Sequence, residues 1–304
     1  PIQGPIGKDV PGDSSVLKPV DDSWKGLALT TDVNPYLMEA NPYHGTRSAV
    51  EEVCRNLAAV GARIDSLADC LCFGNPRKPD NMGQFRASCE ALKDAAMAVD
   101  VPYVSGNVSL YNETADGAIP PTPVLMGVGL VEDIRNCTTS DMKRDGSIWL
   151  IGKTKEEMGA SLYYRSIGKD CPNVPKTDFD SFIPRMEQLI QAIEQGEVVA
   201  CHDISTGGIA VAVIEMCMSG VGANIGLGED MRADVELFSE SNGRWIVQVA
   251  NGKEKGFARR FDYATRIGEV GKNIAFSKDN DVIAEFEIDE LRNAWTRPVW
   301  DRLA

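Results

Sequence analysis

Apolar and polar positions follow two patterns along the chain, one with a helical period and one typical of strands. Between residues 48 and 60 the apolar side chains fall at Val50, Val53, Leu57 and Val60, which is the spacing of an amphipathic helix. Patterns of this kind predict helices at 48–60, 84–99, 182–194, 209–218 and 288–303. Apolar, often β-branched runs predict strands at 16–18, 26–31, 64–72, 101–110, 122–131, 147–151, 198–201, 224–227, 244–250, 266–270 and 282–286. The alternation indicates an α/β (α+β) fold in which mixed sheets pack against helices.

The polar stretch 132–146 carries no strong period and separates two groups of these elements. A chain of 304 residues has room for about two domains. We therefore expect an N-terminal domain at 1–133 and a C-terminal domain at 134–304, each with a core of its own. Because the first residue is Pro1, we also expect the chain to begin inside a longer protein.

The composition argues against several classes of function. The net charge of -14 argues against a nucleic-acid surface, which normally carries a basic stripe, but it leaves phosphorylated small ligands open. No apolar run reaches the length of a membrane span. The eight cysteines form no C-x-x-C motif and only two histidines are present, so we expect reduced cysteines in a cytoplasmic protein and no zinc site.

The stretch 104–114, VSGNVSLYNET, follows a predicted strand and concentrates small and amide side chains. Gly106 allows a ligand to approach the backbone, Asn107 offers an amide oxygen suited to Mg²⁺, and Ser109 offers a hydroxyl. These residue types are equally typical of a turn between strands. The stretch by itself favours the turn.

A second group of oxygen-bearing side chains is formed by Asp32, Glu52, Asn56 and Asp203. Glu52 and Asn56 are four residues apart on a predicted helix, so they share one face. Three carboxylates and an amide oxygen suit a magnesium cluster that neutralises a polyphosphate. The alternative is a solvated helix face, with Asp203 capping the following helix.

The stretch 205–208, Ser-Thr-Gly-Gly, directly precedes an apolar helical run. Backbone amides at such a helix N-terminus are a natural site for a phosphate. A plain capping turn is compatible with the same residues.

Four segments together resemble a known family: GLALTTD at 26–32, DCLCFGNP at 69–76, VSGNVSLYNET at 104–114 and CHDISTGG at 201–208. They are similar, in order and spacing, to the second half of small-type formylglycinamidine ribonucleotide synthase. That family belongs to the ATP-binding superfamily that includes aminoimidazole ribonucleotide synthetase. The resemblance runs from about residue 5 to the C-terminus and implies a two-domain half of that architecture.

The resemblance also implies roles for individual residues. Residues matching Asp69 and Gly106 contact ATP, the one matching Asn107 binds Mg²⁺, and the one matching Ser109 touches the substrate. In larger single-chain relatives, residues matching the second group hold a non-catalytic nucleotide (ADP) with its metals, together with a serine that matches Ser205. No catalytic residue of the family matches a residue of this chain.

The activity implied is that of an ATP-dependent C–N ligase of purine biosynthesis. ATP phosphorylates the amide oxygen of formylglycinamide ribonucleotide, and ammonia then displaces the phosphate. A glutaminase subunit would supply the ammonia, and a small accessory subunit would bridge the two. The chain would need the missing N-terminal half and would be inactive alone, although a homodimer of the fragment is possible.

Two alternatives stay open. The chain is either a homodimeric ATP-dependent enzyme of the same superfamily that acts on another substrate, or a non-catalytic scaffold that holds a nucleotide and docks partner subunits. Retained nucleotide without turnover would favour the scaffold.

The spacing of the first group predicts its geometry. Between Asp69 and Gly106 lies one predicted helix, which is long enough for a β-α-β crossover between neighbouring parallel strands. Both strand ends would then meet at one edge of a sheet, where α/β proteins bind ligands. We expect Asp69, Gly106, Asn107 and Ser109 to form a single cluster on that rim.

Overall fold

A computed structural model describes residues 10–228 and 230–303, without the side chains of 299, 300 and 303. The first nine residues of the predicted N-terminal domain therefore lie outside the described part. The strands are β1 (Ser15–Leu17), β2 (Gly26–Asp32), β3 (Arg63–Cys72), β4 (Tyr103–Ser109), β5 (Glu113–Thr114), β6 (Gly117–Ala118), β7 (Thr122–Val131), β8 (Ser147–Ile151), β9 (Val198–Asp203), β10 (Gly222–Gly226), β11 (Trp245–Val249), β12 (Ala264–Gly271), β13 (Ile274–Lys278) and β14 (Asp281–Phe286). The helices are α1 (Pro35–Ala40), α2 (Pro42–Ala59), α3 (Pro79–Val99), α4 (Leu162–Ser166), α5 (Phe179–Glu194), α6 (Gly208–Cys217), α7 (Ala233–Phe238), α8 (Glu254–Arg260) and α9 (Ile288–Leu303).

The first sheet has the strand order β1-β2-β7-β3-β4. Strands β3 and β4 are parallel and joined by α3, which confirms the predicted β-α-β crossover, and the other neighbours are antiparallel. Helix α2 begins where Asn41 accepts a hydrogen bond from the His44 amide and Pro42 takes the first helical position. It packs closely on the sheet, because a Cβ at Gly127 of β7 would lie 2.3 Å from Val53.

The opposite face of this first sheet is open. Along β7 the side chains alternate, so that Leu125 and Val131 are buried under the helices while Met126 and Leu130 are 37% and 47% exposed. An apolar sheet face of this kind is a surface on which another element or chain can pack.

The second sheet has the order β14-β13-β10-β12-β8-β11-β9. One hydrophobic cluster lies wholly inside the second domain, between this sheet and helices such as α6. A second, larger cluster joins α2 and the first sheet to α5, β9 and β11, so the core of the first domain is continuous with part of the second. Trp245 of β11 is fully buried at this junction and donates its Nε1–H to the carbonyl of Arg55 in α2.

The mixed α/β class of both parts is confirmed. The elements that the periodicity missed are short, such as α1, α4, α7 and α8 with five to seven residues each, too few to display a period. The domain boundary stays a prediction. None of the helices in the described ranges combines the length and apolar composition that a bilayer span requires.

Candidate functional site

A cavity of about 480 Å³ opens where the first sheet, helix α2 and strand β9 meet. We call it the acidic cavity. Its lining combines predicted site residues with others that the sequence did not single out: Gly12, Asp13, Ser14, Ser15, Leu29, Thr30, Thr31, Asp32, Glu52, Asn56, Met126, His202, Asp203 and Ser205. All members of the second predicted group, together with Ser205, are therefore brought to one place.

Each of these side chains is positioned by a regular element. Asp32 is the last residue of β2, Asp203 is the last residue of β9, and Ser205 follows in the next turn. Glu52 and Asn56 lie one turn apart on α2 and face the same space, as their spacing predicts. The site thus depends on the packing of the first domain against the second.

The carboxyl groups of the acidic cavity repel one another. Burial and the neighbouring Asp32 raise the pKa of Glu52 well above its usual value, and burial also raises the pKa of Asp32. Burial raises the pKa of Asp203 to about 7 despite the nearby Arg55. These shifts indicate negative charge that the protein alone does not fully neutralise.

The guanidinium of Arg55 neutralises part of this negative charge. Its side chain is 1% exposed, and its Nε donates to Asp203 Oδ2 at 3.1 Å. It also pairs with Glu51 on the same helix and lies 3.6 Å from Glu52. A buried cation held among three carboxylates fixes α2 against β9, but it leaves a net negative site.

One buried acceptor in the acidic cavity has no partner. The Nδ2 group of Asn56 donates to Thr30 Oγ1 at 3.5 Å and to Asp32 Oδ2 at 3.4 Å, whereas its Oδ1 atom has no hydrogen bond. Asn56 is only 7% exposed, so an unsatisfied oxygen here is costly. An orphan amide oxygen beside carboxyl groups with raised pKa values is the donor set that Mg²⁺ prefers, so Asp32, Glu52, Asn56 and Asp203 fit such a cation.

Asp13 and His202 belong to the site although the sequence reasoning missed them. His202 Nδ1 lies 2.9 Å from Asp13 Oδ1, and its Nε2 lies 3.0 Å from Glu215. Burial would lower the pKa of His202, but Asp13 and these hydrogen bonds raise it well above its usual value. Ligand atoms of Asp13, His202 and Asp203 lie within 4.8 Å of one another, as in a metal site. Because both ring nitrogens already contact carboxylates, we assign His202 to holding Asp13 in place.

No sequence signal linked these two residues to the others. Asp13 and His202 are separated by 189 positions, and Asp13 stands in a Gly-Asp-Ser-Ser stretch that resembles an ordinary turn. Only the contact across the domain junction reveals the pair.

The first predicted group does not form a single cluster, so that prediction is wrong. Asp69 and Gly106 lie opposite each other inside β3 and β4, and a Cβ at Gly106 would be 2.9 Å from Asp69 Oδ2. Asn107 instead donates to Cys70 at 3.5 Å, and side chains one residue apart on a strand point to opposite faces. Ser109, paired with Cys72, lies on the side of Asn107 and contacts Asn112.

The ligand roles of these four residues stay predictions, but they cannot serve one site on one face. Burial raises the pKa of Asp69, and the backbone N–H of Asn107 offsets part of this shift. Asp69 pairs with Leu125 of β7, which is buried under the helices, so its side chain lies on the helix side of the sheet. Asn107 is exposed on the open side. A side chain at position 106 would collide with Asp69, and this close packing explains why the position is a glycine.

Two of the backbone N–H groups at 205–208 already donate hydrogen bonds within the protein. The Gly207 N–H donates to Glu240 Oε1 at 2.9 Å, and the Gly208 N–H donates to the Ser205 carbonyl at 3.0 Å. A carboxylate of the protein therefore already occupies the place predicted for a phosphate, and the capping interpretation is correct for these two groups. Ser205 itself lines the acidic cavity.

Comparisons with known proteins agree with this architecture. Residues 11–131 match the family described as AIR synthase related protein, N-terminal domain, and residues 142–276 match AIR synthase related protein, C-terminal domain. The chain is 40% identical over 302 residues to the phosphoribosylformylglycinamidine synthase subunit PurL of Methanothrix thermoacetophila. That alignment covers 93% of this chain and 39% of the relative.

Among solved structures, Thermotoga maritima PurL complexed with FGAR matches with a TM-score of 0.78 at 21% identity, covering 92% of this chain and 48% of that one. The same protein is known in complexes with ATP and with ADP, and in PurLQS. The HypE–HypF complex matches with a TM-score of 0.65 at 15% identity, covering 90% of this chain and 93% of that one. These structural matches show the fold, and the chain spans less than half of the PurL proteins it resembles.

Proposed function

Because the chain belongs to the AIR synthase related family and carries both of its domains, we propose that it works as one half of an ATP-dependent synthetase. The reaction is the conversion of formylglycinamide ribonucleotide to the amidine, with ammonia derived from glutamine. The similarity to PurL over 93% of the chain supports this substrate.

The observation that carries the proposal is the acidic cavity. Asp32, Glu52, Asn56 and Asp203 would hold Mg²⁺, which would supply positive charge to neutralise the phosphates of ADP or ATP. Ser205 at the cavity wall would donate its hydroxyl to the nucleotide. The resemblance implies that this nucleotide is non-catalytic, so the cavity would hold it by positioning and charge neutralisation, which needs carboxylates and amides but no nucleophile.

The other partners follow from the same proposal. A second AIR synthase related unit, supplied by the missing N-terminal half, would cover the open face of the first sheet, where Met126 and Leu130 are exposed. Asn107 and Ser109 lie on that face, so the Mg²⁺ and substrate contacts expected of them would be made beneath the second unit. A glutaminase subunit and a small accessory subunit would complete the assembly, as the PurLQS complex of the T. maritima relative suggests.

The HypE–HypF match favours a second candidate function. The match covers 93% of the matched chain in that complex, so the same two-domain unit also exists as nearly a whole polypeptide. On this alternative, two copies of the chain would pair through the open face and act on another substrate with ATP. A titration with candidate substrates separates the two functions.

Binding of Mg²⁺ and ADP tests the acidic cavity. The double variant Asp32→Asn/Asp203→Asn removes two carboxylates without changing side-chain size, and we expect calorimetry to show roughly 100-fold weaker binding or none. Asp65→Asn on the exposed part of β3 is the control and keeps the affinity of the unmodified chain. Unchanged affinity in the double variant would return these residues to a purely structural role.

Activity tests the composite nature of the enzyme. We expect the purified 304-residue chain to form no amidine from formylglycinamide ribonucleotide, ATP and ammonia, because half of the proposed site lies on another unit. Product formation above a no-enzyme background would show that the chain is a complete enzyme.

A further inference from the structure

A second, smaller cavity of about 90 Å³ meets helix α2 at Glu51, next to the residue that faces the acidic cavity. It lies at the domain junction and is lined by four basic side chains, Lys153, Lys155, Lys176 and Arg185. We call it the basic recess. In a chain with a net charge of -14, four converging cations are a marked local departure.

None of the four basic side chains forms an ion pair within residues 10–228 and 230–303, although other cations do. Arg185 lies over the ring of Tyr263, at 5.1 Å from its centre, and is half-buried. The three lysines are exposed at the rim. Their charges are therefore available to a ligand.

The two carboxylates of the basic recess offset only part of its positive charge, because Asp178 interacts with Lys155 while Glu51 is paired with Arg55. Asp178 accepts hydrogen bonds from the amide and hydroxyl of Ser181, at 3.4 and 2.7 Å. Glu51 is fully buried, accepts from the Gly243 amide at 3.1 Å and pairs with Arg55.

A neighbouring histidine reports the resulting positive potential. Burial and then the nearby Lys176 and Arg47 lower the pKa of His44, so the neutral imidazole is favoured there. Arg47 adds a fifth cation close to the recess, over the ring of Phe179 at 4.8 Å. An anion in the recess would relieve this repulsion.

We propose that the basic recess binds a phosphate group, either free phosphate or the end of a small phosphomonoester. Its volume of about 90 Å³ suits a group of a few heavy atoms, such as one phosphate group. Lysine and arginine donors form charge-assisted hydrogen bonds to phosphate oxygens, and Thr177, whose hydroxyl oxygen accepts from Asn242, adds an O–H donor to the same wall.

Calorimetry with inorganic phosphate and with ribose 5-phosphate, in a buffer free of other phosphates and of Mg²⁺, tests the proposal. We expect both probes to bind the unmodified chain, and Lys155→Ala/Lys176→Ala to weaken each by roughly tenfold or more. Tighter binding of ribose 5-phosphate would identify the phosphomonoester as the ligand, and equal binding would identify free phosphate.

Two controls separate this site from general charge effects and from the acidic cavity. Lys272→Ala removes an exposed lysine of the β12–β13 turn and keeps the affinity. Asp32→Asn/Asp203→Asn also keeps phosphate binding, whatever it does to Mg²⁺ and ADP. The proposal is overturned if neither probe binds at millimolar concentration, if the lysine variant binds like the unmodified chain, or if either control loses as much affinity.

Discussion

The acidic cavity and the β3–β4 strand pair both carry carboxylate, amide and hydroxyl oxygens, yet only the cavity directs them at one point. In the cavity, Asp32, Glu52 and Asp203 come from three elements in two domains and surround a common space. In the strand pair, Asp69 faces the helices while Asn107 faces the open side of the sheet.

The same residue types therefore form a site only where the fold turns their side chains towards a common space. Helical spacing of four keeps two side chains on one face, whereas adjacent positions on a strand are always separated by the sheet. The cavity also shows electrostatic stress, with raised pKa values and an orphan oxygen, whereas Asp69 accepts a backbone hydrogen bond beside Gly106. Such stress marks a place where a cation would stabilise the protein.

The largest effect should come from removing the counter-charge of the cavity. Arg55→Met leaves Glu51 and Asp203 buried without their cation, so we expect the free energy of unfolding to fall by about 3–5 kcal/mol in chemical denaturation. Arg86→Met is the control, because the Arg86–Glu90 pair of α3 is exposed and screened by solvent, so that its loss should leave the free energy of unfolding almost unchanged. Equal losses in both variants would show that Arg55 does not hold the cavity together.

A pair of amide variants compares the two regions directly. Asn56→Leu removes the orphan oxygen from the cavity, and we expect calorimetry to show Mg²⁺ affinity falling by about 10–100-fold. Asn107→Leu makes the same chemical change on the open face and leaves the Mg²⁺ affinity of the isolated chain unchanged. The reverse order of effects would move the cation site to the strand pair.

The pH dependence of Mg²⁺ binding should follow Asp203. Its pKa of about 7 means that a proton competes with the cation, so binding should be roughly tenfold weaker at pH 6 than at pH 8. Without metal, the stability gained by protonating Asp203 is fully present below its unfolded pKa near 3.8 and is lost as the pH rises through about 7. Asp203→Asn should flatten both profiles, and a persisting slope would assign the titration to another group.

The smallest effect should come from the strand pair. Gly106→Ala places a Cβ 2.9 Å from Asp69 Oδ2, which forces the carboxylate to move and costs about 1 kcal/mol of unfolding free energy. Gly83→Ala in α3 meets no atom within 4 Å and should stabilise the chain by up to about 1 kcal/mol through helix propensity. A neutral Gly106→Ala would remove the packing explanation of this glycine.

The sequence was most informative where a period was long or a contact was local. The extents of β7, β8 and α9 agree with the predicted 122–131, 147–151 and 288–303. The pairing of Glu52 with Asn56 followed from helix geometry alone. Short helices such as α7 carried too few apolar positions to be recognised.

By itself the sequence determined the mixed α/β class, the β-α-β unit of β3 and β4, and the residues that could bind a metal and a nucleotide. Only the tertiary structure decided which of them meet. It brought Asp13 to His202, placed Arg55 among the carboxylates, and put Asp69 and Asn107 on opposite faces. The physical reason is that periodicity reports which side of an element is buried, whereas a site between domains depends on contacts such as Arg55–Asp203 that span 148 residues.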